Sequence, residues 1–256
     1  MVRFRLVNRT QLDYTLSNFL DAHEVSIAYL YTDFRAFGQA IKDQGKTVFL
    51  SNFLDIFASH GTSVVVPTFT YTTSGKFDPK KNLTTLGALN RFVQLSSQSR
   101  TSFHPIFAFS SIGSVSDIVF NVGKSAFGRD SVFERLHGKG CFFFHIGRHL
   151  SEGSTLVHHV EQTCGAWYRQ NVIFATEVED DGESKGTEFT AFLRRRDVPG
   201  RDFATQFRKA SDNLFELGIA RELNSTQNFQ NVTAVPFDDA FESLCQLFYA
   251  DSSVFI

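Results

Sequence analysis

The sequence predicts an α/β protein, a central mixed β-sheet flanked by helices in a single domain over 1–256. Three observations carry this expectation. Strand-length β-branched and aromatic segments alternate with segments of helical period. GCFFFHIG (140–147) is continuously apolar between glycines, as a strand buried on both faces should be. No internal repeat or low-complexity linker divides the 256 residues. With 42% apolar and 20% charged residues the chain can build a sizeable core. Thirty Phe against one Trp and one Met imply that flat rings fill most of it, leaving a few to line a pocket.

Taken in order, 11–22 places apolar groups at helical spacing, and VSIAYLYT (25–32) reads as a central strand running into DFRAFGQA. A helix over about 51–59 ends near Gly61, and a strand follows at 62–69. TTSGKFDPKK (72–81) has loop composition, and 86–96 reads as a helix. A strand over 104–114 enters a Gly turn, 131–137 is a short helix, and the buried strand 140–147 precedes a helix over 154–169. The charged run 178–186 reads as a solvated hairpin end, and 187–198 continues with alternating character. Helices over 203–218, closed by Gly218, and 238–251 complete the chain.

A formal charge of −2 offers no basic surplus for a phosphate backbone, which argues against nucleic acid as a partner. The N-terminus lacks a signal-peptide pattern, and no run of about 18 apolar residues could span a membrane. Cys141, Cys164 and Cys245 are widely spaced without a C-x-x-C pair, so no metal site is expected and a reduced, cytoplasmic setting fits. Oligomeric state is not legible.

Phosphate-loop, dinucleotide, serine-elbow and HExxH motifs are absent. The chemistry-bearing pair is His158 with Glu161. At i and i+3 they share a helix face, so the carboxylate can orient the imidazole and stabilise its protonated form, as a general base requires. The same spacing also arises on ordinary helix surfaces. A metal-dependent hydrolase using His158, Glu161 and His104 or His145 is conceivable, although no ligand spacing supports it.

HPIFAFSSIG (104–113) resembles the HPxxSFAAxG segment of the aminoglycoside 3-N-acetyltransferase family, and Thr155–Glu161 (TLVHHVE) resembles its TxLHxxE segment. Further matches fall in order: YTDFRAFG (31–38), FDPKKNLTTLGALNRF (77–92), SAFGRDSVFERL (125–136), FFFHIG (142–147) and 217–244. The resemblance implies acyl transfer from a coenzyme A thioester to the amine of an amino sugar. His158 would be the base, Glu161 would orient it or bind the amine, and no metal would take part. The implied coenzyme site is the turn Thr32, Asp33, Phe34, Arg35 and Phe37, where backbone N–H groups at a helix start can meet a pyrophosphate. Arg35 and Arg100 would meet phosphate charges, and Ser102 and Phe109 the pantetheine arm. His104, Trp167, Tyr168 and Arg169 are the candidate acceptor contacts. Tyr31-Thr32-Asp33 stands where the family has HSS, so some coenzyme contacts are expected to differ. A near-neutral chain suits a nucleotide-linked amino sugar better than a polycation. The alternatives are an aminoglycoside acetyltransferase and an inactive relative that only binds coenzyme or sugar.

Overall fold

The computed structural model describes residues 9–120, 122–198, 202–223 and 232–256. In chain order the strands are β1 (Ile27–Thr32), β2 (Ser63–Pro67), β3 (Lys76–Phe77), β4 (Arg100–Thr101), β5 (Phe109–Ile112) and β6 (Cys141–Ile146). They continue with β7 (Arg169–Phe174), β8 (Glu177–Asp180), β9 (Glu183–Gly186), β10 (Phe189–Arg194), β11 (Arg221–Glu222) and β12 (Val232–Pro236). The helices are α1 (Arg9–Ala22), α2 (Gly38–Gln44), α3 (Lys46–Ser59), α4 (Ala88–Gln94), α5 (Val132–Leu136), α6 (Thr155–Thr163), α7 (Phe207–Glu216) and α8 (Phe237–Ala250).

The main sheet is mixed, in the order β11-β12-β6-β1-β2-β5-β4. Its centre, β6-β1-β2, is parallel, while β12 and β5 flank it antiparallel. Alternation along β1 divides the core. Ile27, Tyr29 and Tyr31 face one side with Phe109, Cys141 and Phe143, and α5 to α8 pack there. Ala28 and Leu30 face the other with Val64, Val66, Phe144 and Ile146, under α1, α3 and α4. Apolar burial on both faces explains why β1, β2 and β6 read as continuous apolar runs. None of the described helices is long and apolar enough to cross a membrane.

Three predicted elements differ from the observed ones. The segment 104–108 is not strand: the His104 ring Nδ1 accepts from Ile106 and Phe107 N–H and turns the chain before β5. The helix expected over 154–169 stops at Thr163, because Gly165 takes φ +72° and returns the chain into β7. Strand β12 lies within the stretch 219–237, for which the sequence predicts no element.

One glycine fixes the geometry at the end of the parallel strands. Gly147 has φ +73°, and a Cβ there would stand 2.1 Å from the Asp33 carbonyl oxygen. The loops leaving β1 and β6 therefore touch backbone to backbone.

Three buried histidines are held neutral. Burial pushes His104 down to about 4, and pushes His145 and His159 down to about 3. After burial, Arg148 and His149 lower His145, and His137 lowers His159. The ordinary value is about 6.5, so below it the unfolded chain binds more protons than the folded one. This contribution is full above about pH 6.5 and is lost as pH falls toward 3–4. At pH 5 each histidine accounts for up to about 2 kcal/mol. The melting temperature should fall steeply from pH 6.5 to 4.5, and His145→Phe should flatten that slope. An unchanged slope would contradict the assignment.

Candidate active site

The site grows from the carboxyl ends of the parallel strands, where open α/β sheets hold ligands. Thr32 ends β1, Pro67 ends β2, and Gly147 and Arg148 follow β6. Helix α6 begins here and carries Leu156, Val157 and Val160 into the core. Its start is fixed by Tyr31, whose hydroxyl accepts from the Thr155 N–H at 2.9 Å and also hydrogen-bonds the Thr155 hydroxyl. The Tyr29 hydroxyl reaches the same Oγ1 at 3.2 Å. A further anchor comes through His159, whose Nδ1 accepts from Gly128 N–H at 3.0 Å. Its Nε2–H then faces His137 Nε2 at 3.3 Å, and the His137 Nδ1–H donates to Asp238 at 2.8 Å.

These contacts set the position of His158. Its Nδ1 lies 2.8 Å from Glu161 Oε2, one helical turn on. Glu161 has no solvent exposure, so its ionised form needs cations inside the protein. Arg169 answers: its Nε lies 2.7 Å from the same Oε2, with its side chain 6% exposed. Arg169 is held in turn by the Phe192 carbonyl at 3.1 Å and the Thr205 hydroxyl at 2.7 Å. Arg169 Nη2 also lies 3.2 Å from His158 Nδ1, so this nitrogen faces both a carboxylate and a guanidinium; a proton on Nδ1 would be donated to Glu161 and would leave Nε2 as the lone-pair nitrogen. Burial, then the Glu161 charge, raises the neighbouring Tyr168 phenol far above its ordinary value and keeps it protonated.

His158 lines a cavity of about 280 Å³ with Tyr31, Thr32, Phe69, Tyr71, Phe107, Arg148, Ser154, Thr155 and Phe207 among its walls. A second cavity of about 610 Å³ is lined by Thr32, Asp33, Phe34, Arg35, Gly38, Arg148 and Glu152, among others. Thr32, Leu86 and Arg148 belong to both, so the two spaces meet. One extended molecule entering through the larger space can therefore bring its end to His158.

The structure brings together His158, Glu161 and Arg169, and it gathers Thr32 to Arg35 around the larger cavity. Asp33 accepts from Arg35 N–H and pairs with the Arg35 guanidinium, which holds the Asp33 carboxyl below its usual range. Arg35 is thus partly neutralised. Phe37 is instead core, packed on Phe34 and Phe49. Arg100 lies at the sheet edge, 3.4 Å from Asp117, and lines neither cavity. Ser102 is consumed in bonds with the Phe109 backbone, and the Phe109 ring is buried among Tyr29, Phe69 and Phe133. His104 is spent on its turn and on the Thr190 carbonyl. Trp167 and Tyr168 pack with Phe203 outside both cavities. Arg169 acts behind the imidazole rather than on the cavity wall. Sequence reasoning missed Arg148, Tyr71, Phe107 and Phe207. Arg148 had a usable signal, since it directly follows the glycine that closes a buried strand.

The chain is an α/β protein whose mixed sheet carries a carboxylate-held histidine beside cavities at the ends of its parallel strands. The model of the aminoglycoside 3-N-acetyltransferase family matches residues 30–239, and the chain belongs to that family, whose members are acetyltransferases that use coenzyme A. Solved structures agree on the fold. A histidine-to-alanine mutant of aminoglycoside acetyltransferase AAC(3)-IVa with gentamicin superposes at TM-score 0.74 and 15% identity, covering 100% of this chain and 93% of that one. AAC-IIIb with CoASH gives 0.73 at 12% identity, covering 96% and 97%. YokD from Bacillus subtilis gives 0.67 at 12% identity, covering 93% and 99%. No curated protein sequence matches significantly.

Removing Arg169 should leave a buried carboxylate uncompensated. Arg169→Met is expected to cost about 3–5 kcal/mol in a denaturation measurement, and adding Glu161→Gln should restore much of that. Additive losses would contradict a direct pairing.

Proposed function

We propose that the protein transfers an acyl group from a coenzyme A thioester to the amino group of an amino sugar, with His158 as general base. The observation that carries the reading is the position of His158. It lines the smaller cavity, which shares Thr32, Leu86 and Arg148 with the larger one, and it is backed by a buried carboxylate and its arginine. The groove beside Thr32–Arg35 would take the coenzyme, its thioester reaching the junction, and the acceptor would fill the cavity over His158.

An ammonium has no lone pair, so the amine must lose a proton before or during attack. One ammonium proton goes to solvent, and His158 Nε2 would take the second as the C–N bond forms, directly or through one water, with Glu161 stabilising the imidazolium. The neutral amine attacks the thioester carbonyl carbon. The C–N bond forms, the tetrahedral oxyanion collapses, and the C–S bond breaks to release the coenzyme thiolate, which His158 can reprotonate. A base so placed contributes about 10²–10⁴-fold, and positioning the two substrates contributes the larger share.

Family membership and the gentamicin-bound neighbour support an aminoglycoside as the acceptor. A second reading, a nucleotide-linked amino sugar, is favoured by one observation. No carboxylate lines the His158 cavity among the described residues, and Arg148 does. A polycation would be expected to meet acidic walls.

Incubation with acetyl-coenzyme A and panels of aminoglycosides and nucleotide-linked amino sugars should release free thiol with one class. His158→Ala should lower that release at least 100-fold while coenzyme A affinity stays within about threefold. Absence of thiol release with every amine, or full activity of His158→Ala, would overturn the proposal.

A further inference from the structure

Arg148 is the one cation on the wall of the His158 cavity among the described residues, and it is poorly compensated. It makes no ion pair within those residues, and its Nε is buried without a hydrogen-bond partner. Of the carboxylates lining the adjoining cavity, Asp33 is paired with Arg35 and also feels the Arg148 charge, and Glu152 accepts from the His149 N–H at 3.1 Å. The guanidinium sits over the Tyr31 ring, 5.8 Å from its centroid. Its Nη2 comes 3.4 Å from where a Cβ on Gly153 would be, so a side chain at 153 would crowd it.

Gly153 leads directly into α6, and Ser154, the residue before its first turn, makes no side-chain capping bond. The start of a nine-residue helix, whose first N–H on Thr155 is already taken by the Tyr31 hydroxyl, and a guanidinium without an ion pair among the described residues lie on one wall of one cavity. Such a pairing attracts an anion. His158 follows Thr155 by three residues, which is about 4.5 Å along the helix axis. An anion at this point would lie within one small molecule's length of the base.

We infer that Arg148 and the N-terminus of α6 form an anion subsite that holds a phosphate on the acceptor, so that the acceptor is a phosphorylated amino sugar rather than a polycation. This rests on the acyltransferase reading only for the identity of the cavity as the acceptor site. Phosphate is also carried by the coenzyme, so the test must separate the two sources. A phosphate held by Arg148 orients the sugar with its amine toward His158 Nε2, whereas a polycation would bring several ammonium groups against an uncompensated guanidinium.

Binding to the full-length chain can be titrated calorimetrically without turnover, using glucosamine 1-phosphate, glucosamine, neomycin and coenzyme A. Glucosamine 1-phosphate should bind at least tenfold more tightly than glucosamine and more tightly than neomycin. Arg148→Gln should erase the advantage of glucosamine 1-phosphate over glucosamine, and Arg148→Lys should keep part of it. Equal binding of the two glucosamines, tightest binding of neomycin, or an Arg148→Gln loss confined to coenzyme A would each overturn the inference. Because the readout is binding, absence of thiol release would count against the proposed reaction and leave this result to stand or fall separately.

Discussion

A carboxylate with no exposure to water must find its compensation inside the protein, and Glu161 finds it in Arg169 at 2.7 Å and His158 at 2.8 Å. Desolvating that pair is costly, and the interaction offsets the cost only with tight geometry and further hydrogen bonds. Glu161 Oε1 is buried without a hydrogen-bond partner among the described residues, so the compensation falls on Oε2 and on the elements that bring Arg169 to it. Helix α6 has to end early so that the chain can double back through Gly165 and present Arg169 from the first residue of β7. Strand β10 supplies the Phe192 carbonyl, and Thr205 supplies a hydroxyl, so that the guanidinium is held in place. The same guanidinium also comes within 3.2 Å of His158 Nδ1.

The other end of α6 is governed by aromatic packing. Tyr29 and Tyr31 sit in adjacent inward positions of β1, within a continuous set of rings that includes Phe109, Phe133 and Phe143. Their hydroxyls converge on Thr155, at the start of α6. Tyr31 does double service. Its hydroxyl fixes the start of α6, and the Arg148 guanidinium lies over its ring. The change from a histidine–serine pattern to Tyr31-Thr32-Asp33 is thus a structural commitment as well as an altered lining.

Much of the architecture was legible because burial on both faces of β1, β2 and β6 writes itself as apolar runs. The His158–Glu161 pair was legible too, since an i, i+3 relation is a property of any helix. Other parts could not be read. Arg169 belongs to the site only because Gly165 turns the chain back, and helical period alone carried α6 through to 169. Arg100, Ser102 and Phe109 were expected at the coenzyme, but the loop 102–108 folds around the His104 ring and spends those groups on the fold. Residues gathered from several strand ends, such as Tyr71, Phe107 and Phe207, share no sequence period, and only the tertiary fold unites them.

The central claim is that the buried Glu161 carboxylate fixes the His158 proton on Nδ1 and leaves Nε2 free to accept one. Nitrogen-15 NMR of the histidine rings at neutral pH measures this directly. The account predicts a neutral His158 as the Nδ1–H tautomer, with that preference weakened in Glu161→Gln. A neutral His158 carrying its proton on Nε2 in the unaltered protein would contradict it.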